Sequence, residues 1–300
     1  MAVQLRVTQI GQEALVTPAS TLLATQVGVE TLIGPPPGIP LQVLVAWNAS
    51  YDTDSLAMWA QPYSDLTDAT RNRVRACVVH VGAGMPDHGG DYADLEVEND
   101  DLRFTSANTG SPIYPYLPID ATAGRPVRIC GRVGSALYPL FFGFLVKKTT
   151  PLSPRPDARV VRFRAVSPLG RLLPVTCPGA ATGFAAADLV GYILDAAAIV
   201  PKTGYRVPAA ARAIDADPTL IRPSDPPGAV EAVGQQLARV ADQAGGAYFV
   251  RPVLAASASE PNYRFVYQAR ATKDAAADDV TYSGAQLEAA VAYEQAGAVV

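Results

Sequence analysis

The feature that most constrains this chain is an apolar run at positions 138–146, which reads YPLFFGFLV and is followed by two lysines. A membrane-spanning helix needs about 20 apolar residues, so the run is too short to span. Continuous rather than alternating apolarity is typical of a strand that is buried on both faces. We therefore predict a central strand with Phe141, Phe142 and Phe144 buried for assembly. One face would meet its own core and the other a neighbouring domain or subunit, with Gly143 allowing a bend or a close backbone approach.

Further strands are predicted on both sides of this run. Scattered Pro and Gly residues place turns between short segments that either alternate in polarity or are continuously apolar. Gly131 is a candidate bulge. Together with the central run, these strands predict an all-β unit of about six strands, a barrel or a sandwich. The other strands are expected at 41–48, 73–81, 92–99, 125–133 and 158–167.

The texture changes after residue 167. Apolar residues at helical spacing predict one helix over 185–201, which Pro201 stops. A second helix is predicted over 225–246, opened by two prolines, with Val230 on its apolar face and two glycines at its end. Two more strands are expected at the end of this part, at 247–254 and 263–270.

Three parts follow from this pattern. Residues 1–40 form an N-terminal arm, 41–167 the β-barrel or sandwich unit, and 168–300 an α+β domain with two main helices. The arm ends in a proline-rich stretch, GPPPGIP. It adds a strand to its own sheet, reaches a neighbouring subunit, or is a partly ordered tail. The fold class is mainly β with an α+β second part.

Composition excludes several function classes. The formal net charge is −4, so the chain lacks the basic footprint of a nucleic-acid-binding protein. The three cysteines are far apart and without a CxxC spacing, which argues against disulfides and zinc and indicates reduced, packed thiols. The first residues do not show a charged region leading into an apolar one, so we expect no Sec export and no membrane anchor.

The two histidines are weak candidates for chemistry. His80 lies in an apolar strand and is expected to be packed or hydrogen-bonded rather than to act as a base. His88 lies among Asp87, Asp91 and Asp94, whose carboxylates suit a hard cation. Their spacing matches no EF-hand loop, and turns are rich in Asp and Gly for backbone reasons. We therefore predict no metal site.

No catalytic constellation emerges. The nucleophile elbow G-x-S-x-G and the phosphate-binding G-x-x-x-x-G-K-[ST] motif are both absent from the sequence. Asp94, Glu96 and Glu98 share one strand face, which suits a solvated or inter-subunit surface better than a catalytic pair. We predict no catalytic and no cofactor-binding residue. Basic residues on the strands are expected either to form inter-subunit pairs or to make a wet face: Arg128, Arg132, Arg162 and Arg164.

The order of motifs over residues 59–173 is distinctive. The chain reads WAQPYSDLT, then ADLEVENDDLRF, then GRPVRI, then LYPLFFGFLV and finally ARVVRFRAVSPLGRLL. This order resembles the baseplate hub or tail-tip proteins of long-tailed bacteriophages. Two departures stand out. The family's DGRF turn is DDLRF here, without the glycine, and Ser167-Pro168 stands where the family's D-x-L-x-x-L phrase begins with aspartate.

The resemblance implies a structural, non-enzymatic virion protein. Residues 41–167 would be a tail-tube-like β-barrel, followed by an inserted α+β region. Such hubs usually carry a second tube-like barrel, which would begin near residue 290, so a partner completes the ring or the chain assembles differently. Expected partners are copies of itself (three favoured, six possible), a tail tube or distal tail protein, and fibre or spike proteins. Specific nucleic-acid binding is not expected.

The same resemblance implies where the protein acts and which other functions must be considered. The protein would be located at the virion tail tip after assembly in the bacterial host cytoplasm. A six-copy distal-tail adaptor ring is the first alternative. A tail-associated hydrolase that acts on the cell wall is the second.

Overall fold

The structure is a computed structural model. The residues that it describes are 5–9, 12–16, 29–33, 41–49, 56–61, 63–68, 71–81, 91–117, 119, 124–133, 135–150, 159–200, 204–224, 226–255 and 260–275.

One large antiparallel sheet dominates the first half of the chain. Its strand order is β2-β1-β3-β5-β6-β9-β8-β7-β4, so the predicted arm contributes β1, β2 and β3 to the same sheet. Six strands fall within 41–167. The strands are β1 (Leu5–Gln9), β2 (Gln12–Val16), β3 (Val29–Ile33), β4 (Leu41–Val45), β5 (Val74–Val81), β6 (Tyr92–Glu98), β7 (Arg125–Val133), β8 (Ala136–Thr149) and β9 (Val160–Val166).

The outer edge of β4 is covered by residues 64–67. The N–H of Val45 donates to the Ser64 carbonyl at 2.8 Å. On its other side, the same segment accepts at the Leu66 carbonyl from the N–H of Arg73, just before β5, at 2.8 Å. The segment thus links the edge of β4 to the start of β5. Among the described residues no ladder joins β4 to β2, so strand pairing leaves the sheet open.

β8 carries two irregularities. The pairing of β8 with β7 shifts by one residue between Ile129 and Cys130, so Leu140 of β8 has no partner on β7. Against β9 the shift leaves Val146 as the extra residue. The bulge predicted at Gly131 is therefore wrong: the extra residue lies on the facing strand, because β8 is the longer strand and follows two neighbours at once.

The second half of the chain is α+β, so the predicted fold class is confirmed. A three-stranded sheet, β12-β16-β15, and two small two-stranded ladders surround two main helices. The elements are α1 (Pro168–Leu172), β10 (Thr176–Pro178), β11 (Phe184–Ala185), α2 (Ala186–Ala198), β12 (Arg212–Ile214), β13 (Leu220–Ile221), β14 (Val230–Ala232), α3 (Val233–Ala244), β15 (Ala247–Pro252), β16 (Tyr263–Gln268) and α4 (Arg270–Ala275).

The helix predicted over 225–246 begins later than expected. Residues 230–232 form β14 instead, and Val230 is 68% exposed rather than on an apolar helix face. The first helical N–H groups donate to the carbonyls of Val175 and Leu173, so the start depends on tertiary partners and not on a capping side chain. The end is as predicted: Gly245 has φ +70° and closes α3 in the left-handed conformation.

Two hydrophobic cores lie on opposite faces of the large sheet. The sheet core contains Trp47, Phe104 and Phe163, whose ring centroids are 5.7–6.0 Å apart. The α+β core packs α2, α3 and the three-stranded sheet against the other face of β4 and β8. The large sheet contributes side chains to both cores.

All three cysteines are free and buried. Burial raises the pKa of Cys77 to about 12 and that of Cys130 to about 11. Both thiols are therefore protonated at neutral pH, which suits the predicted role as small apolar packing residues.

Gly143 is expected to be irreplaceable. A Cβ on this residue would lie 2.4 Å from the Val166 carbonyl oxygen and 2.6 Å from the Phe141 ring. We predict that Gly143→Ala destabilises the chain by about 2 kcal/mol or more, because backbone of β9 must move. Urea unfolding of the purified variant measures this.

Gly191 supplies the matched control. A Cβ there meets nothing within 4 Å, and the residue lies inside α2. Gly191→Ala should stabilise the chain by up to about 1 kcal/mol, since alanine loses less backbone entropy in a helix. Equal effects of the two substitutions would contradict the close approach of β8 and β9.

Candidate assembly surface

β8 stands between the two cores. Its central residues 141–145 are all buried, and their side chains alternate between the two faces. Phe141 and Leu145 enter the sheet core, whereas Phe142 and Phe144 enter the α+β core. The continuous apolar run is thus the strand that both halves of the chain share.

The α+β region supplies the cover for the second face. The Phe142 ring stacks on Tyr263 at 5.5 Å and 14°, and meets Trp59 edge-on at 6.3 Å. Phe144 meets Tyr205 edge-on at 6.0 Å. Aromatic pairs in these geometries add to the gain from burial alone. The chain's own second part, together with Trp59 of the first part, therefore covers this face, and an assembly role for the phenylalanines stays a prediction.

The outward face of the other strands is charged. Across β5, β6 and β9, three arginines meet three carboxylates of β6. The pairs are Arg75–Glu98 at 3.2 Å, Arg162–Glu96 at 2.9 Å and Arg164–Asp94 at 2.7 Å. Exposed pairs of this kind each contribute about 0.2–1 kcal/mol. We call these six residues the charged face; its arginines and acids compensate one another within the chain.

The charged face continues into an aromatic stack. His80 stacks on Tyr92 at 4.1 Å and 17°, and the Arg164 guanidinium lies 4.9 Å from the Tyr92 ring. The Asp94 carboxylate, which accepts two hydrogen bonds from Arg164, raises the pKa of that guanidinium. His80 is therefore a packed residue of this surface.

The acidic loop predicted around His88 is placed only in part. Asp87 and His88 lie outside the described residues, whereas Asp91 is buried and Asp94 belongs to the charged face. Within the part of the chain that the structure describes, no three His, Cys, Asp or Glu side chains cluster as metal ligands. None of the helices found there is long and apolar enough to cross a membrane.

The turn after β6 is held by a buried asparagine. Asn99 accepts from the N–H of Phe104 at 2.9 Å and donates to the Thr105 hydroxyl at 3.0 Å. Arg73, itself buried, donates to both carboxylate oxygens of Asp101 at 2.7 and 3.2 Å. Burial alone would raise the pKa of Asp101, but the hydrogen bonds and charge of Arg73 hold it below its usual value.

Leu102 takes the place of the expected glycine. It has φ +57°, the left-handed conformation that glycine adopts at little cost, and its side chain is 39% exposed. The motif DDLRF shows that the glycine is missing, but the sequence alone predicts neither the strained leucine nor the Arg73–Asp101 pair. Next to it, the Arg103 guanidinium lies 4.3 Å from the ring of Tyr63, which also has a positive φ.

The second departure from the family phrase has a simple role. Ser167 caps α1: its hydroxyl accepts from the N–H of Gly170 at 3.1 Å, and Pro168 occupies the first turn. Aspartate and serine are both preferred N-cap residues, so the substitution preserves the helix start. Leu169 and Leu172, the leucines of the phrase, are buried in the α+β core.

Comparison with known proteins found structural similarity only. No protein-family profile and no curated protein matches the sequence. The chain is similar to the tail protein from Neisseria meningitidis MC58, with 12% identity and a TM-score of 0.35 over 88% of this chain and 49% of that one. It is also similar to the 43 kDa tail protein of prophage MuSo2 from Shewanella oneidensis, with 10% identity and a TM-score of 0.33 over 88% of this chain and 54% of that one. The chain spans about half the length of these two tail proteins.

Leu102 provides a direct test of the turn. Leu102→Gly should stabilise the chain by about 1 kcal/mol, because a non-glycine residue is strained in the left-handed conformation and little burial is lost. Leu102→Ala keeps the Cβ and the strain, so it should change the free energy of unfolding by less than about 0.5 kcal/mol. Chemical unfolding of both variants decides; a glycine variant less stable than the alanine variant contradicts the strained turn.

Phe142 tests the shared strand. Phe142→Asp should prevent folding, because an unpaired carboxylate in the α+β core costs several kcal/mol in addition to the lost aromatic contacts. Lys147→Asp, an exposed change on the same strand, should fold normally. Circular dichroism and thermal unfolding compare the two, and a cooperative Phe142→Asp transition at the wild-type temperature would refute the buried position.

Proposed function

We propose that this chain is a structural protein of a phage tail tip or baseplate, where it forms a hub ring that connects the tail tube to the fibre or spike apparatus. The observation that carries the proposal is the order and packing of its two parts. A sheet of strands comes first, an α+β region follows, and both are joined through β8. This is the order that the sequence motifs of the tail-hub family imply.

The surface chemistry supports a structural role. The acids that the sequence offered as a candidate pair, Asp94 and Glu96, each hold an arginine on the exposed charged face. Acids that are each engaged in an ion pair on an exposed face suit a surface contact better than a catalytic pair. We propose that the protein is not an enzyme and that it acts in the virion tail after assembly in the host cytoplasm.

The proposed ring contains three copies, with six as the alternative of a distal-tail adaptor. Its proposed partners are a tail tube or distal tail protein on one side and fibre or spike proteins on the other. Ring interfaces of obligate assemblies commonly bury about 2,000 Å² or more.

Mass measurement of the assembled complex tests the proposal. Native mass spectrometry of rings from purified tails should give three copies per ring. Six copies would identify the adaptor ring instead. A stable monomer that forms no ring and does not associate with tails would contradict both. Peptidoglycan release by the isolated chain, lost on substitution of a specific acid, would point to the hydrolase.

A further inference from the structure

Arg128 differs from the other arginines of the large sheet. It lies on β7 directly between Leu44 of β4 and Phe142 of β8, two residues of the α+β core. Its side chain therefore lies on the side of the sheet that the α+β region packs against, beside Leu44 and Phe142 and away from the charged face. The residue is only partly buried, so the guanidinium lies at the border of the α+β core and solvent.

The charge of Arg128 has no counter-charge in the described part of the chain. Its guanidinium lies 4.9 Å from the ring of Trp59, and no ion pair to a described acid is formed. The Nε atom is shielded from solvent and makes no hydrogen bond. Burial lowers the pKa of the guanidinium. A desolvated cation without a carboxylate destabilises the fold, and this cost is uncommon unless a partner removes it.

A second unsatisfied polar atom lies close by. Gln42 of β4 is paired with Cys130, so it is a diagonal neighbour of Arg128 on the same face of the sheet. Its Oε1 atom is also shielded and without a hydrogen bond. The two side chains need complementary partners: the arginine needs a hydrogen-bond acceptor and the amide oxygen needs a donor. A simple anion offers acceptors alone, whereas a polypeptide brings a carboxylate together with N–H groups.

We propose that Arg128, Trp59 and Gln42 form a docking point for an acidic segment of a second protein chain. A Glu or Asp side chain of the partner pairs with the guanidinium beside Trp59, and the Gln42 amide turns outward to accept a hydrogen bond from a partner N–H. The planar fork of arginine suits two parallel hydrogen bonds to one carboxylate. This inference rests on the proposed tail role, since it names the chemistry by which a neighbour in the tail is recognised.

Two variants of the full chain test the docking point. Arg128→Met keeps the length of the apolar stem and removes the charge; Arg132→Met makes the same change at an exposed position of the same strand. In the isolated chain, Arg128→Met should leave the thermal midpoint unchanged or raise it by up to about 4 °C, because a costly charge is gone. In cells that assemble tails, its incorporation into purified tails should fall by about tenfold or more. Arg132→Met should leave both measurements unchanged.

The other outcomes separate the possible failures. A lowered thermal midpoint for Arg128→Met shows that a carboxylate of the chain itself holds the arginine, and it overturns the inference. Normal incorporation of Arg128→Met beside normal wild-type incorporation also overturns it and leaves the proposed function standing. Absence of the wild-type chain from tails overturns the proposed function, and with it the tail partner.

Discussion

Burial of β8 on both faces is the constraint on which the rest of the structure depends. A strand with one wet face would let the sheet and the α+β region fold side by side with little contact. Here Phe141 enters one core and Phe142 the other, one residue apart. The close approach at Gly143 brings the backbone of β9 against the same strand. The two halves of the chain therefore stabilise each other largely through β8, with Leu44 of β4 beside it.

That constraint divides the outward face of the large sheet. On β4 and β8 this face carries Leu44, Phe142 and Phe144, which the α+β region covers, whereas β7 places Arg128 between them. Over β5, β6 and β9 the face is charged, and its arginines are matched by acids of β6. Arg128 is a cation in the apolar half, away from these acids. Arg128 lies on β7 between β4 and β8, too far along the sheet to pair with the acids of β6.

Ser167 and Leu102 have opposite energetic consequences for the local structure around them. Ser167 caps α1 about as well as an aspartate would, because either side chain accepts a hydrogen bond from a helical N–H. Leu102 for glycine leaves a side chain in the left-handed conformation and costs about 1 kcal/mol. The Arg73–Asp101 pair and the Asn99 hydrogen bonds hold the turn in that conformation. Side-chain hydrogen bonds and an ion pair can thus hold a turn whose left-handed position is not a glycine.

The sequence by itself determined the strands of 41–167, the burial of residues 141–145 and the fold class, because the spacing of apolar residues indicates which strand faces are buried. It did not determine where α3 begins, since the carbonyls of Val175 and Leu173 satisfy that helix end. Nor did it reveal which acid faces Arg164, which depends on the register of β6 with β9. Only the tertiary structure decided that Tyr263 and Trp59 cover Phe142 and that Arg128 is left beside them, because these contacts join residues far apart in the chain.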